Sequence, residues 1–241
     1  MNITNNQINY VGREETIPVA KTFLSGVFMW MGLALSITAL VSWLFASNQS
    51  LMAILYDSQT GSMNMAGWIV MLAPLGLVLW MSMGFQKLSA STLVLIFIGY
   101  SALMGASLSF IFLIYTLPSI AKTFVITAAM FGFMGVLGYT TKTDLTKFGS
   151  IMMMGLVGLI IASVINMFMH SDTMEYIISF IGVLVFTGLT AYDVQKLKRI
   201  GASISQGTET ARKVTIMGAL TLYLDFINLF LFLLRFFGNR R

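Results

Sequence analysis

Cysteine is absent from this 241-residue chain, histidine occurs once, proline three times, and only 10% of the residues are charged. Without cysteine there is no thiol nucleophile, no thiolate metal site and no disulfide framework. The lone His170 supplies no cluster for zinc or iron. Redox and zinc chemistry are set aside, and so little charge excludes a disordered or ordinary soluble chain. The net charge of +5 does not point to nucleic acid, because the basic side chains gather at the ends of apolar runs, where membrane topology accounts for them.

What is present is hydrophobic, 57% of the residues. The stretches 22–56, 58–86, 88–121, 123–141, 148–171 and 176–192 hold no Asp, Glu, Lys or Arg, and 214–234 is broken by Asp225 alone. A hydrocarbon core of ~30 Å takes about 20 helical residues, so these runs predict an all-α integral membrane protein with seven transmembrane helices. The spans are expected near 23–46, 66–86, 91–117, 123–141, 148–169, 175–197 and 214–236. Residues 1–22 form a polar cytoplasmic N-terminal tail, and 23–241 a single seven-helix transmembrane domain. The first apolar run is too long, and its flank insufficiently basic, for a cleaved signal.

Basic residues set the orientation. With the N-terminus inside, the cytoplasmic segments hold Arg13, Lys21, Lys87, Lys142, Lys147, Lys196, Lys198, Arg199, Arg212 and Lys213. The outer segments hold only Lys122, Arg235, Arg240 and Arg241. The expectation is a multi-pass protein of a bacterial inner membrane, surrounded by membrane lipid, N-terminus cytoplasmic and C-terminus outside. Link 196–213, basic at both edges, reads as ordinary topology charges flanking a loop, with contact to anionic lipid the alternative.

Gly132, Gly135, Gly138, Gly155 and Gly158 mark expected helix-packing faces. Pro74 is expected to kink the second span. The 19 methionines, including Met152-Met153-Met154, read as flexible core filler.

Two ionisable side chains remain inside the expected spans: Asp193 in Thr190-Ala191-Tyr192-Asp193, and Asp225 in Leu222-Tyr223-Leu224-Asp225-Phe226-Ile227-Asn228. An acid in hydrocarbon costs several kcal/mol unless it is protonated, paired or wet, so each marks a candidate site. Gly218, Thr221, Asp225 and Asn228 recur at helical spacing as one polar stripe. Thr190, Tyr192, Thr221, Tyr223 and Asn228 are expected to support the acids. The competing reading is structural: each Asp sits near a boundary, or accepts hydrogen bonds that hold the bundle together. Asp193 lies three residues before Lys196, near the expected cytoplasmic surface, whereas Asp225 lies 12 residues after Lys213, near mid-membrane. On this arithmetic the two depths differ by about 10 Å. If the carboxyls met they would share a proton and, doubly charged, bind a hard cation such as calcium.

Four ordered blocks give the chain a family likeness over roughly 90–241: Gly99-Tyr100-Ser101-Ala102-Leu103-Met104-Gly105 with Leu108-Ser109 and Tyr115-Thr116; Thr141-Lys142-Thr143-Asp144-Leu145-Thr146 with Gly149; Thr190-Ala191-Tyr192-Asp193; and Leu222 to Phe230. In these the chain resembles a bacterial-type member of the Bax-inhibitor family, also called the transmembrane Bax-inhibitor-motif family. The resemblance implies two three-helix groups around a central C-terminal helix. It further implies a pH-controlled calcium leak, with Asp193 and Asp225 as sensing pair and cation site. Calcium is the permeant or bound ion, and no other cofactor is implied. A basic side chain at the end of the second span is linked in the family to closing the pore, and Lys87 is the nearest residue here.

Other classes fit less well. An intramembrane aspartyl protease also carries Tyr-Asp on one helix, but its second acid lies in Gly-x-Gly-Asp, where this chain has Tyr223-Leu224-Asp225. A serine intramembrane protease needs a buried Ser–His pair, and His170 lies in a loop-like segment. A retinal protein needs a mid-span lysine, which this chain lacks. The chain therefore reads as no enzyme. A non-conducting regulator or assembly factor that binds other membrane proteins remains the alternative function.

Overall fold

The computed structural model describes residues 5–57, 62–205 and 207–240, with 5–19 described by backbone alone. The helices are α1 (Asn5–Ser47), α2 (Gln49–Leu55), α3 (Met65–Gly84), α4 (Ala90–Leu108), α5 (Ile111–Ile114), α6 (Leu117–Thr140), α7 (Thr146–Met169), α8 (Asp172–Ser203) and α9 (Glu209–Phe237). Among the described residues, seven segments are long and apolar enough to cross a membrane: Ala20–Ser47, Met65–Gly84, Ala90–Ile114, Leu117–Thr140, Thr146–Met169, Asp172–Ser203 and Glu209–Phe237. The expected all-α, seven-span architecture is therefore present. An odd number of spans leaves the two ends of the chain on opposite faces of the bundle.

Differences fall at the ends of the elements. The backbone of α1 is already helical at Asn5, so the polar segment expected as a tail continues straight into the first span. The expected link 47–65 is folded: Asn48 Oδ1 accepts from the Ser50 and Leu51 amides, capping α2. There β1 (Tyr56–Asp57) pairs antiparallel with β2 (Ser62–Met63). The third span breaks at Ser109, whose hydroxyl donates to the Ala106 carbonyl at 2.6 Å, before α5 carries it on. The tight α7–α8 connection turns at His170, in the left-handed region at φ 50°, and Ser171 caps α8.

Burial separates inner from outer helices. The most apolar stretches of α9 and α8 are 67% and 61% buried, whereas those of α3 and α7 are 17% and 11%. α9 packs against α1, α4, α6 and α8, while α8 packs against α1, α6, α7 and α9. The C-terminal helix is central, as expected, and shares that place with α8. Apolar side chains on α3 and α7, among them Leu72, Leu75, Ile161 and Phe168, point outward, as a lipid solvent permits.

The packing role of the expected glycines divides. A Cβ on Gly138 would strike the Ala191 backbone, and one on Gly155 would press on Val185 at 3.0 Å, whereas Gly132 and Gly158 face open space. Helix α3 runs unbroken through Pro74. Met152 packs against Gly188, while Met153 and Met154 are exposed, so that run is only partly core.

Candidate functional site

The two acids come from the two inner helices. Asp193 is 8% and Asp225 5% exposed, and their carboxyl groups lie within hydrogen-bonding reach of each other. Oδ2 of Asp225 is buried and has no hydrogen-bond partner among the described residues. The depth mismatch expected from sequence does not keep them apart. The expected cytoplasmic surface lay near Lys196, whereas α8 continues to Ser203, a total of 32 residues or roughly 48 Å. Asp193 therefore lies well inside its helix.

Close backbone approach builds the surroundings of Asp193. Gly138 lets α6 settle on Ala191, and Gly149 lets α7 settle on the Tyr192 ring. The residues just before the acid are thereby gripped from two sides. Lys196, one turn on, is a positive charge that acts on Asp193, and its Nζ lies 5.9 Å from the Tyr192 ring centre.

The expected supporting side chains are directed elsewhere. Thr190 Oγ1 donates to the Phe186 carbonyl at 2.7 Å, Thr221 Oγ1 to Met217 at 3.0 Å, and Asn228 Nδ2 to Leu224 at 2.8 Å. Each satisfies a carbonyl one turn back on its own helix, the usual refuge of a polar side chain in an apolar bundle. Tyr223 turns away from Asp225. Its hydroxyl is 2.8 Å from Thr38 Oγ1, which itself donates to the Ser101 carbonyl at 2.8 Å. Lys87 sits exposed in the α3–α4 turn, with neither acid among its described contacts.

Sequence reasoning missed a clamp on the same helix. Gln195 accepts from the Leu145 amide at 2.9 Å and donates to the Thr143 carbonyl at 2.8 Å. Arg199 reaches Asp144 at 2.7 Å, and Lys198 Nζ donates to the Tyr139 carbonyl at 2.7 Å. Hydrogen bonds from Thr146, and then from Arg199, hold the Asp144 carboxyl well below the usual carboxylate range. The Thr141–Thr146 block was visible as a motif, but its tie to the helix of Asp193 was not.

A seven-span bundle with two touching acids on its innermost helices defines the class: a polytopic membrane protein with an intramembrane carboxyl pair. The family model described as Inhibitor of apoptosis-promoting Bax1 matches residues 20–241. The chain is 49% identical over 222 residues to Inner membrane protein YbhL of Escherichia coli (strain K12), covering 92% of this chain and 93% of that one. It is 44% identical over 234 residues to an uncharacterized protein of Borreliella burgdorferi, covering 97% and 99%. An uncharacterized protein of Rickettsia prowazekii, RP147, is 44% identical over 241 residues, covering 97% and 99%. The chain belongs to the Bax inhibitor family.

Proposed function

We propose that this protein is a pH-sensitive calcium leak of the bacterial inner membrane, gated by Asp193 and Asp225. The observation that carries the reading is the contact between two buried carboxyls on the central helices, with Asp225 Oδ2 unpartnered among the described residues. Two carboxyls in contact cannot both ionise cheaply, so the pair holds a proton between them. Losing that proton, or loading a cation, changes the charge at the α8–α9 contact and shifts the packing of the bundle.

Calcium is cargo in this reading. It takes 6–8 oxygen ligands, and two carboxylates supply at most about four. Among the described residues no cluster of three or more His, Cys, Asp or Glu could complete a resident site. A partial site finished by water suits an ion in transit. Neither acid lines the cavities at the two ends of the bundle, which fits a closed state. The bulk of Tyr223 and Leu224 beside Asp225 argues against a peptide substrate reaching the pair. The inner-membrane placement is supported by the name of the Escherichia coli relative and by the seven apolar helices. N-terminus inside and C-terminus outside follows from the basic-residue count.

The test is calcium entry into dye-loaded liposomes carrying the purified protein, across a pH series. Flux above empty liposomes, with a pH dependence lost in Asp193→Asn and Asp225→Asn, is the expected result. Flux absent at every pH favours a non-conducting regulator, and a pH dependence untouched by both substitutions removes the acids from the sensor.

A further inference from the structure

At the end of the bundle that carries the C-terminus, a cleft of about 510 Å³ opens between α5 and α7, floored by α8 and α9. Its wall is apolar: Ile111, Ile114, Met167, Ile178, Leu231 and Leu234. Its rim is cationic. Arg235, in the last turn of α9, and Arg240, beyond it, both line the cleft. The segment after α9 folds back to hold Arg240 in place: Asn239 N donates to Ser119 Oγ at 2.9 Å, and Thr116 N to the Asn239 carbonyl at 3.2 Å.

The charges are unequally used. Glu175, the carboxylate of the cleft, is paired with Arg240 at 2.9 Å. Arg235 has no carboxylate partner among the described residues; its neighbour is the Phe232 ring, 5.9 Å from the guanidinium carbon. Asp172 shares a second, smaller hollow with Glu175 and both arginines, without forming an ion pair with Arg235. Two neutral polar groups also line the large cleft. The Ser163 hydroxyl and the Asn166 amide NH₂ have no protein partner among the described residues, the Asn166 oxygen being taken by the Ser171 amide at 3.1 Å.

An apolar slot under an unpaired guanidinium, at the level where a spanning helix ends, is complementary to one kind of molecule. We infer that this cleft binds a single anionic phospholipid, its phosphate on Arg235 and its acyl chain along Ile114, Met167 and Leu231. Arg presents a planar fork of donors that matches a phosphate in bidentate fashion. The free Ser163 and Asn166 donors suit the glycerol and ester oxygens just below the headgroup. The slot explains why Ile114 and Met167 stay exposed beside a charged rim. The volume is in the range of specific ligand pockets.

The experiment is native mass spectrometry of the purified full chain in detergent, titrated with phosphatidylglycerol or phosphatidylcholine of identical acyl chains. Inorganic phosphate and glycerol phosphate serve as competitors. One phosphatidylglycerol is expected to stay bound roughly tenfold more tightly than phosphatidylcholine, and Arg235→Gln is expected to remove that preference. Arg235→Lys should keep part of it, and Ile114→Trp, which fills the slot and leaves the charge, should weaken both lipids. Equal retention of the two lipids, or full retention by Arg235→Gln, overturns the inference. Displacement by phosphate or glycerol phosphate overturns it in favour of a free-anion site. Thermal melts without added lipid, unchanged between Arg235→Gln and the unsubstituted chain, separate loss of the site from loss of the fold.

Discussion

Two tyrosine rings are neighbours in the core, and their hydroxyls have opposite fates. Tyr223 OH meets Thr38 Oγ1; because the single Thr38 hydrogen goes to the Ser101 carbonyl, Tyr223 is the donor. Tyr100 OH is buried without a partner among the described residues, its ring set edge-on to Tyr223 at 5.5 Å. Tyr223→Phe should therefore cost about 1 kcal/mol, while Tyr100→Phe should be neutral or stabilising, since it removes an unpaired polar atom. Thr38→Val strips a partner from both Tyr223 and Ser101 and should cost more, about 1–3 kcal/mol. Denaturant melts of the purified variants give the order, and a destabilised Tyr100→Phe would show that its hydroxyl has a partner after all. Asp144 gives a pH prediction with a definite sign. Its folded carboxyl is held low by Thr146 and Arg199, so its contribution to stability is complete above the ordinary Asp value of about 3.9 and fades as pH falls below it. Asp144→Asn should lower the melting temperature at pH 7, with the difference from the unsubstituted chain shrinking toward pH 2. At this scale the sequence made Asp193 and Asp225 conspicuous, because an acid among Leu, Phe and Ile needs a reason. It could not say that Thr190, Thr221 and Asn228 would turn back to their own carbonyls, since that choice depends on whether a neighbour offers a better partner.

The apolar runs located every span, since length and hydropathy fix what crosses a membrane; the helix ends needed more than hydropathy. Helix α8 outruns its apolar stretch because Gln195, Lys198 and Arg199 find carbonyls and a carboxylate at the end of α6 and on the α6–α7 turn. These are long-range partners with no local signal. Gln195→Ala should free that turn, so the Leu145 amide, which donates to Gln195 at 2.9 Å, should exchange with deuterium faster than its neighbours in α7. Unchanged protection would mean that Lys198 and Arg199 hold the turn without it. Small residues were likewise legible as a class and not one by one. Gly138 lies against the Ala191 backbone, which cannot yield without moving a helix, whereas Gly158 faces open space. Gly138→Ala should therefore destabilise by about 1–3 kcal/mol, and Gly158→Ala should be neutral or stabilise by up to ~1 kcal/mol through helix propensity. Thermal melts of the two variants in one detergent decide it, and equal effects would mean that α6 and α8 can move apart at little cost.

For the molecule as a whole, the fold places α8 and α9 at the centre, and any charge change at their contact is felt by α1, α4, α6 and α7 together. Under the gating proposed for the acid pair, a change at that one contact would reach the whole bundle rather than one helix. Which face of the membrane each end meets is a separate matter, set by charge counts and not by packing. The sequence count assigns ten basic residues to the face expected inside, including the edges of the 196–213 link, and four to the face expected outside. The absence of native cysteine allows this orientation to be read directly, because any introduced thiol is the only one in the chain. Met65, 82% exposed beside β2, belongs to the face expected outside, and exposed Ser205 to the face expected inside. With a membrane-impermeant maleimide on intact spheroplasts, Met65→Cys should label and Ser205→Cys should not. After lysis both should label, which shows that each thiol is reachable. The reverse pattern would place the C-terminus inside, and the Arg235 cleft would then face the cytoplasmic leaflet.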